Sequence, residues 1–171
     1  MRNLNRDIEE AYRLKSGDSQ LEEISSHVDP EYFLDQRFAV GTVHSRTFVL
    51  LLAQQDPRSF VSGSPISLST VLQSYNRNEF HHLYPRAYLK GLGYESADVN
   101  RLANFVFMSA QDNKTLGGSA PSVYRGKMNV EATPKILESA LCPASLFDDD
   151  YESFIAERAA KLADAARKLI G

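Results

Sequence analysis

At 171 residues, with 43% hydrophobic and 24% charged content, the chain is long enough for one domain with a real core and too short for two large independent ones. A net charge of −3 argues against indiscriminate coating of nucleic acid, and no apolar run approaches the roughly 18 to 20 residues of a membrane span. The single cysteine, Cys142, excludes an internal disulfide and a cysteine-built zinc site. The start Met1 to Arg6 leads into acidic residues rather than an apolar stretch, so no secretory signal is read and the chain is expected to be cytoplasmic.

In chain order, the first third reads as helical. Asn5 to Leu14 is a short amphipathic stretch stopped by Ser16-Gly17, and Asp18 to Ser26 is a second, with Asp18 or Ser19 as its cap. Pro30 to Phe38 reads as another short helix and Thr42 to Gln55 as a more buried one, ended by Asp56-Pro57. Ser62-Gly63-Ser64-Pro65 is a turn, followed by a brief helix or strand over Leu68 to Gln73.

The middle changes character. Phe80 to Leu83 reads as a short strand, Pro85 to Lys90 as a short helix, and Ala97 to Arg101 as a helical or irregular connection. Phe105-Val106-Phe107-Met108 has the aromatic and β-branched content of a strand, and Ser109 can cap a helix through Asn113 that Gly117-Gly118 would end. Pro134 to Ala140 is a further helix. Beyond Asp148-Asp149-Asp150, Tyr151 to Ile170 carries apolar residues at helical spacing, acid-rich at its start and basic at Arg167-Lys168, as the helix dipole favours.

The block Glu79-Phe80-His81-His82-Leu83-Tyr84-Pro85 holds two of the four histidines, and Asn104 and Asn113 follow, nine residues apart. From Arg77 to Lys127 seven basic residues face four acidic ones, so a positive middle coincides with the histidine block, a balance that suits phosphate contact. Phosphodiester hydrolysis needs a group that takes a proton from water, plus positive charge on the phosphate; an imidazole with a pKa of about 6.5 is a competent base at neutral pH. Successive strand residues face opposite ways, so His81 and His82 serve one site only if the strand ends or bends between them.

His81-His82-Leu83-Tyr84-Pro85, with Asn104 opening a strand and Asn113 beyond it, resembles the HNH (His-Me finger, ββα-metal) nuclease motif. Within that superfamily the wording Glu79 to Leu89, Leu102-Ala103-Asn104-Phe105, Asp112-Asn113-Lys114 and Pro121-Ser122-Val123-Tyr124 resembles the C-terminal nuclease half of bacterial GmrSD-type restriction proteins and their phosphorothioate-sensing relatives, over about fifty residues. The resemblance implies an α+β fold: a ββα-metal core over residues 77–127, embedded between a helical part at 1–76 and C-terminal helices at 128–171. It implies a DNA endonuclease of an anti-phage restriction system, behind an NTP-hydrolysing, modification-sensing domain that this chain lacks. By position, His82 matches the general base, Asn104 the residue whose side-chain amide or backbone holds the base in orientation, and His81 and Asn113 the ligands of one Mg²⁺ or Mn²⁺ ion. Many members close the motif with a histidine where this chain has Asn113, so the metal is expected to be weakly held.

Each residue also has a plainer reading. Asn104 also reads as a turn or cap residue and Asn113 as a helix cap. Glu79 is expected to be a solvated carboxylate rather than a metal contact, and Asp112 divides between solvent and a supporting role. Arg86, Lys90, Arg101 and Lys114 are candidate phosphate contacts or ordinary surface charges. His27 and His44 read as satisfied structural positions, Cys142 as a small buried hydrophobe, and Phe80, Leu83, Phe105 and Phe107 as core. The rival to the enzyme is a catalytically silent module that holds DNA or a partner.

Overall fold

The computed structural model describes residues 27–67 and 79–170, together with residues 8, 9, 12, 13, 15–17 and 69. The expected helix at Asp18 to Ser26, the element at Leu68 to Gln73 apart from Ser69, much of Asn5 to Leu14, and Arg77 lie outside the described residues. The fold is α+β: helices surround a two-stranded antiparallel sheet. No helix among the described residues is long and apolar enough to cross a membrane.

Helix α1 (Pro30–Asp35) opens on a proline, which costs no hydrogen bond in a first turn. It is shorter than the expected Pro30 to Phe38 because the next residues pair elsewhere. The Phe38 N–H donates to the Asn100 carbonyl at 2.9 Å and the Leu102 N–H to the Gln36 carbonyl at 2.8 Å. Helix α2 (Val43–Ala53) is capped by Thr42, whose hydroxyl accepts the Ser45 N–H at 3.2 Å.

Strand β1 (Phe80–His82) follows, then helices α3 (Arg86–Gly91) and α4 (Ser96–Val99), a 3-10 turn at Leu102–Asn104, strand β2 (Phe105–Phe107) and helix α5 (Ala110–Leu116). The strands pair with Phe80 opposite Phe107, His81 opposite Val106 and His82 opposite Phe105. Ser109 caps α5, as expected, accepting the Asp112 N–H at 3.0 Å. Gly117, at φ +79°, terminates it. The last carbonyls of α5 gain a further partner where Lys127 Nζ donates to the Leu116 carbonyl at 2.9 Å.

Helices α6 (Pro121–Tyr124), α7 (Thr133–Ser139) and α8 (Tyr151–Ile170) complete the chain. The buried stripe of α8, including Tyr151, Phe154, Ile155, Arg158, Leu162 and Ala163, follows helical periodicity, and the helix packs on α1. One buried cluster draws on Phe33 and Phe48, on Leu83, Phe105 and Phe107, and on Leu146 and Phe154, so the helical flanks and the sheet share a core. Arg158 lies in the middle of that core with no exposed surface. Its Nη1 donates to the Ala103 and Phe105 carbonyls at 2.6 and 2.7 Å, and its Nη2 to the Ala140 carbonyl at 3.1 Å. Burial lowers its pKa from the ordinary arginine value.

Candidate active site

Strand β1 continues through both histidines and gives way to a bend only at Leu83-Tyr84. Alternation therefore sets them on opposite faces of the sheet. His82 shares its face with Phe80, Phe105 and Phe107. Its ring centroid lies 4.2 Å from that of Phe105, whose other neighbour is the stacked ring of Phe38 at 4.5 Å. His81, opposite Val106, occupies the other face. The strand end or bend between the two, which a shared site needs, is not where the chain bends.

His82 is half-buried, and its Nε2 lies 3.0 Å from Asn100 Oδ1. Burial lowers its pKa from 6.5; the Asn100 hydrogen bond works the other way, while the charges of His81 and Arg86 lower it further. A desolvated imidazole of this kind is neutral at pH 7 and able to accept a proton.

Asn104 has no exposed surface and does its bonding to backbone. Its Oδ1 accepts the Tyr84 N–H at 3.0 Å, and its Nδ2 donates to the carbonyls of Tyr84 at 3.2 Å and Val99 at 2.9 Å. Its own carbonyl accepts the Leu83 N–H at 2.9 Å. Asn104 thus fixes the bend that follows His82, while the imidazole is held by the side chain of Asn100. Tyr124 adds a clamp on the same bend, its hydroxyl donating to the Leu83 carbonyl at 2.9 Å.

The acidic neighbours are engaged. Glu79 Oε2 accepts the Ala110 N–H at 3.1 Å, placing a carboxylate on the first turn of α5. Buried Asp112 points its Oδ2 at the Phe60 N–H, 2.9 Å away. Asn113 is half-buried in the second turn of α5. Among the described residues no three His, Cys, Asp or Glu side chains gather as a metal cluster.

Of the four basic candidates, Arg86 and Lys90 are exposed on α3 at i, i+4 spacing, hence on one face, and Lys114 is exposed on α5. Arg101 is half-buried in an ion pair with Asp98 at 2.7 Å. The plainer readings fit elsewhere. His44 Nδ1 pairs with the Tyr32 hydroxyl at 2.8 Å, His27 with Asp29 at 2.9 Å, and Cys142 is buried.

Two contributors are missing from the sequence reading. Asn100, at the end of α4, holds His82, and the only local signal is its place as a C-cap four residues after Ser96. Phe38 covers the face of the sheet that carries His82 and leaves no signal beyond its hydrophobicity. No family model, curated protein or solved structure matches the chain.

Proposed function

We propose that this chain is a metal-dependent DNA endonuclease whose core is a ββα-metal unit made of β1, β2 and α5, with His82 as the general base. The observation that carries the reading is the state of His82. It is a half-buried imidazole kept neutral by its surroundings, held by an amide, at the end of a strand whose following bend is clamped by Asn104. Such a ring can take a proton from water as the water oxygen bonds to phosphorus. The bond from phosphorus to the departing ester oxygen then breaks, and that oxygen takes a proton from solvent. Arg86 and Lys90, on one face of α3, supply positive charge for the phosphate backbone.

His81 and Asn113 are the proposed metal ligands. Glu79 and His81 alternate onto the same side of the chain, Glu79 touches the start of α5, and Asn113 follows Ala110 on one face of that helix. With the carboxylates of Glu79 and Asp112 engaged, the donor set is an imidazole and an amide oxygen. Such a pair would leave the other positions of one Mg²⁺ or Mn²⁺ ion to water and phosphate oxygens. When bound, the ion would supply positive charge to a phosphate, from the face of the sheet opposite His82. We extend the proposal to the restriction setting that the family resemblance implies, with an NTP-hydrolysing sensor as partner.

The divergence of His81 and His82 onto opposite faces favours a second reading, a silent module that binds DNA without cutting it. Nicking of supercoiled plasmid in Mn²⁺ or Mg²⁺, measured beside salt-dependent DNA binding, separates the two. The enzyme nicks and stops when the metal is chelated. Binding that weakens with salt and never yields nicked product contradicts the proposal.

A further inference from the structure

We infer that Asn100 is the positioning residue of this site: through Ser96 and Asn100 the chain fixes His82 as the Nε2–H tautomer and assigns Nδ1 as the atom that receives the proton. The inference rests on the proposed role of His82 and adds to it an atom and a relay.

The direction of the relay follows from what each atom can do. The Ser96 carbonyl can only accept, and the Asn100 side-chain atom 2.9 Å from it must therefore be the donor Nδ2. The same Nδ2 lies 3.2 Å from the Ser96 hydroxyl oxygen, which can accept as well. Two acceptors on one side set the amide, which turns Oδ1 toward His82 Nε2 at 3.0 Å. An amide oxygen has no hydrogen to give, so the hydrogen in that contact belongs to Nε2. In the neutral ring Nδ1 is then the nitrogen with the lone pair.

The Asn100 backbone is held independently. Its carbonyl accepts the Phe38 N–H at 2.9 Å and its N–H donates to the Ser96 carbonyl at 3.3 Å, so the amide is presented from a fixed position. The Phe105 ring, 4.2 Å away, limits swinging of the imidazole off this bond. Asn104, for which the family resemblance implies an orienting role, spends its amide on Tyr84 and Val99. The roles divide: Asn104 sets the backbone after His82, and Asn100 sets the ring.

The test is ¹⁵N NMR of the imidazoles in the full chain, with His82 assigned by comparison with His82→Gln, alongside plasmid nicking in Mn²⁺. Wild type is expected to show a protonated Nε2 and a lone-pair Nδ1 in the neutral ring. Asn100→Ala should move the two nitrogens toward a tautomer average, with nicking reduced about 100-fold, the lower end of what a positioned base contributes. Asn100→Asp loses the donor to the Ser96 carbonyl but keeps an acceptor for Nε2–H, so its neutral ring should retain the wild-type ¹⁵N pattern, which separates ring positioning from general loss of structure. A wild-type ring protonated at Nδ1, or an Asn100→Ala ring with unchanged tautomer, overturns the inference. Full nicking by His82→Ala overturns instead the nuclease reading beneath it, since the tautomer is read without any turnover.

Discussion

Two asparagines four residues apart do different work, and their variants should fail differently. Asn104→Ala strips three hydrogen bonds from buried backbone and leaves the Tyr84 N–H and the Tyr84 and Val99 carbonyls without that partner. At about 1 to 3 kcal/mol for each stranded buried group, partly relieved by relaxation, urea unfolding should show a loss of about 3 kcal/mol. His82→Ala removes a half-buried ring and its hydrogen bond to Asn100 and should cost about 1 kcal/mol. His82 also predicts a pH dependence. Burial depresses its folded-state pKa below 6.5, so the unfolded chain binds more protons and stability rises with pH up to about 6.5. That contribution is lost as pH falls through the folded-state pKa. Urea midpoints of wild type and His82→Gln across about pH 5 to 8 should converge at the acid end and separate as pH rises. At this scale the sequence shows that His82 is unusual, because adjacent histidines and a proline stand out, whereas Asn104 is singled out only through the family resemblance. It does not show Asn100, whose role depends on a turn of α4 delivering an amide to a strand eighteen residues back.

The elements that support the site are short, and their ends carry much of their stability. Helix α5 has seven residues, too few to persist alone, and its first turn is held by the Ser109 hydroxyl and the Glu79 carboxylate. Ser109→Ala and Glu79→Ala should each destabilise by about 1 kcal/mol, whereas Glu79→Gln, which keeps an acceptor for Ala110, should cost only a few tenths. Hydrogen exchange of the Ala110 and Asp112 amides reads these effects at their source. Most described elements are legible locally: β1, β2, the Ser109 cap, the Gly117 stop and the span of α8 follow from alternation, cap chemistry and helical period. The shortening of α1 is not, because residues 36–38 leave the helix for partners more than sixty positions ahead.

On the scale of the whole molecule, distant segments hold the sheet in place, and that layer is the least legible in the sequence. Asp112 receives an amide from Phe60 at a separation of 52 residues, and Arg158 binds the Phe105 carbonyl at a separation of 53. In the sequence Arg158 is one basic residue of an amphipathic helix; only the packing of α8 beneath β2 turns it into a buried cation for three carbonyls. With hydrogen bonds to a charged donor worth about 1.5 to 3 kcal/mol each, Arg158→Leu should lose more than about 4 kcal/mol in urea unfolding. Arg158→Lys should rescue little, because one ammonium lacks the planar fork that reaches three acceptors. Since two of those carbonyls, Ala103 and Phe105, flank Asn104, weakening α8 should also loosen the bend beside His82. In the proposed function, this framework presents the His82 imidazole to water at a phosphate. That role is tested most directly by Mn²⁺-dependent plasmid nicking with wild type and His82→Ala, each with and without added imidazole. Wild type should nick, His82→Ala should lose at least about 100-fold, and imidazole should restore part of that loss. Equal rates for the two proteins, or no metal-dependent nicking by wild type, would contradict that role.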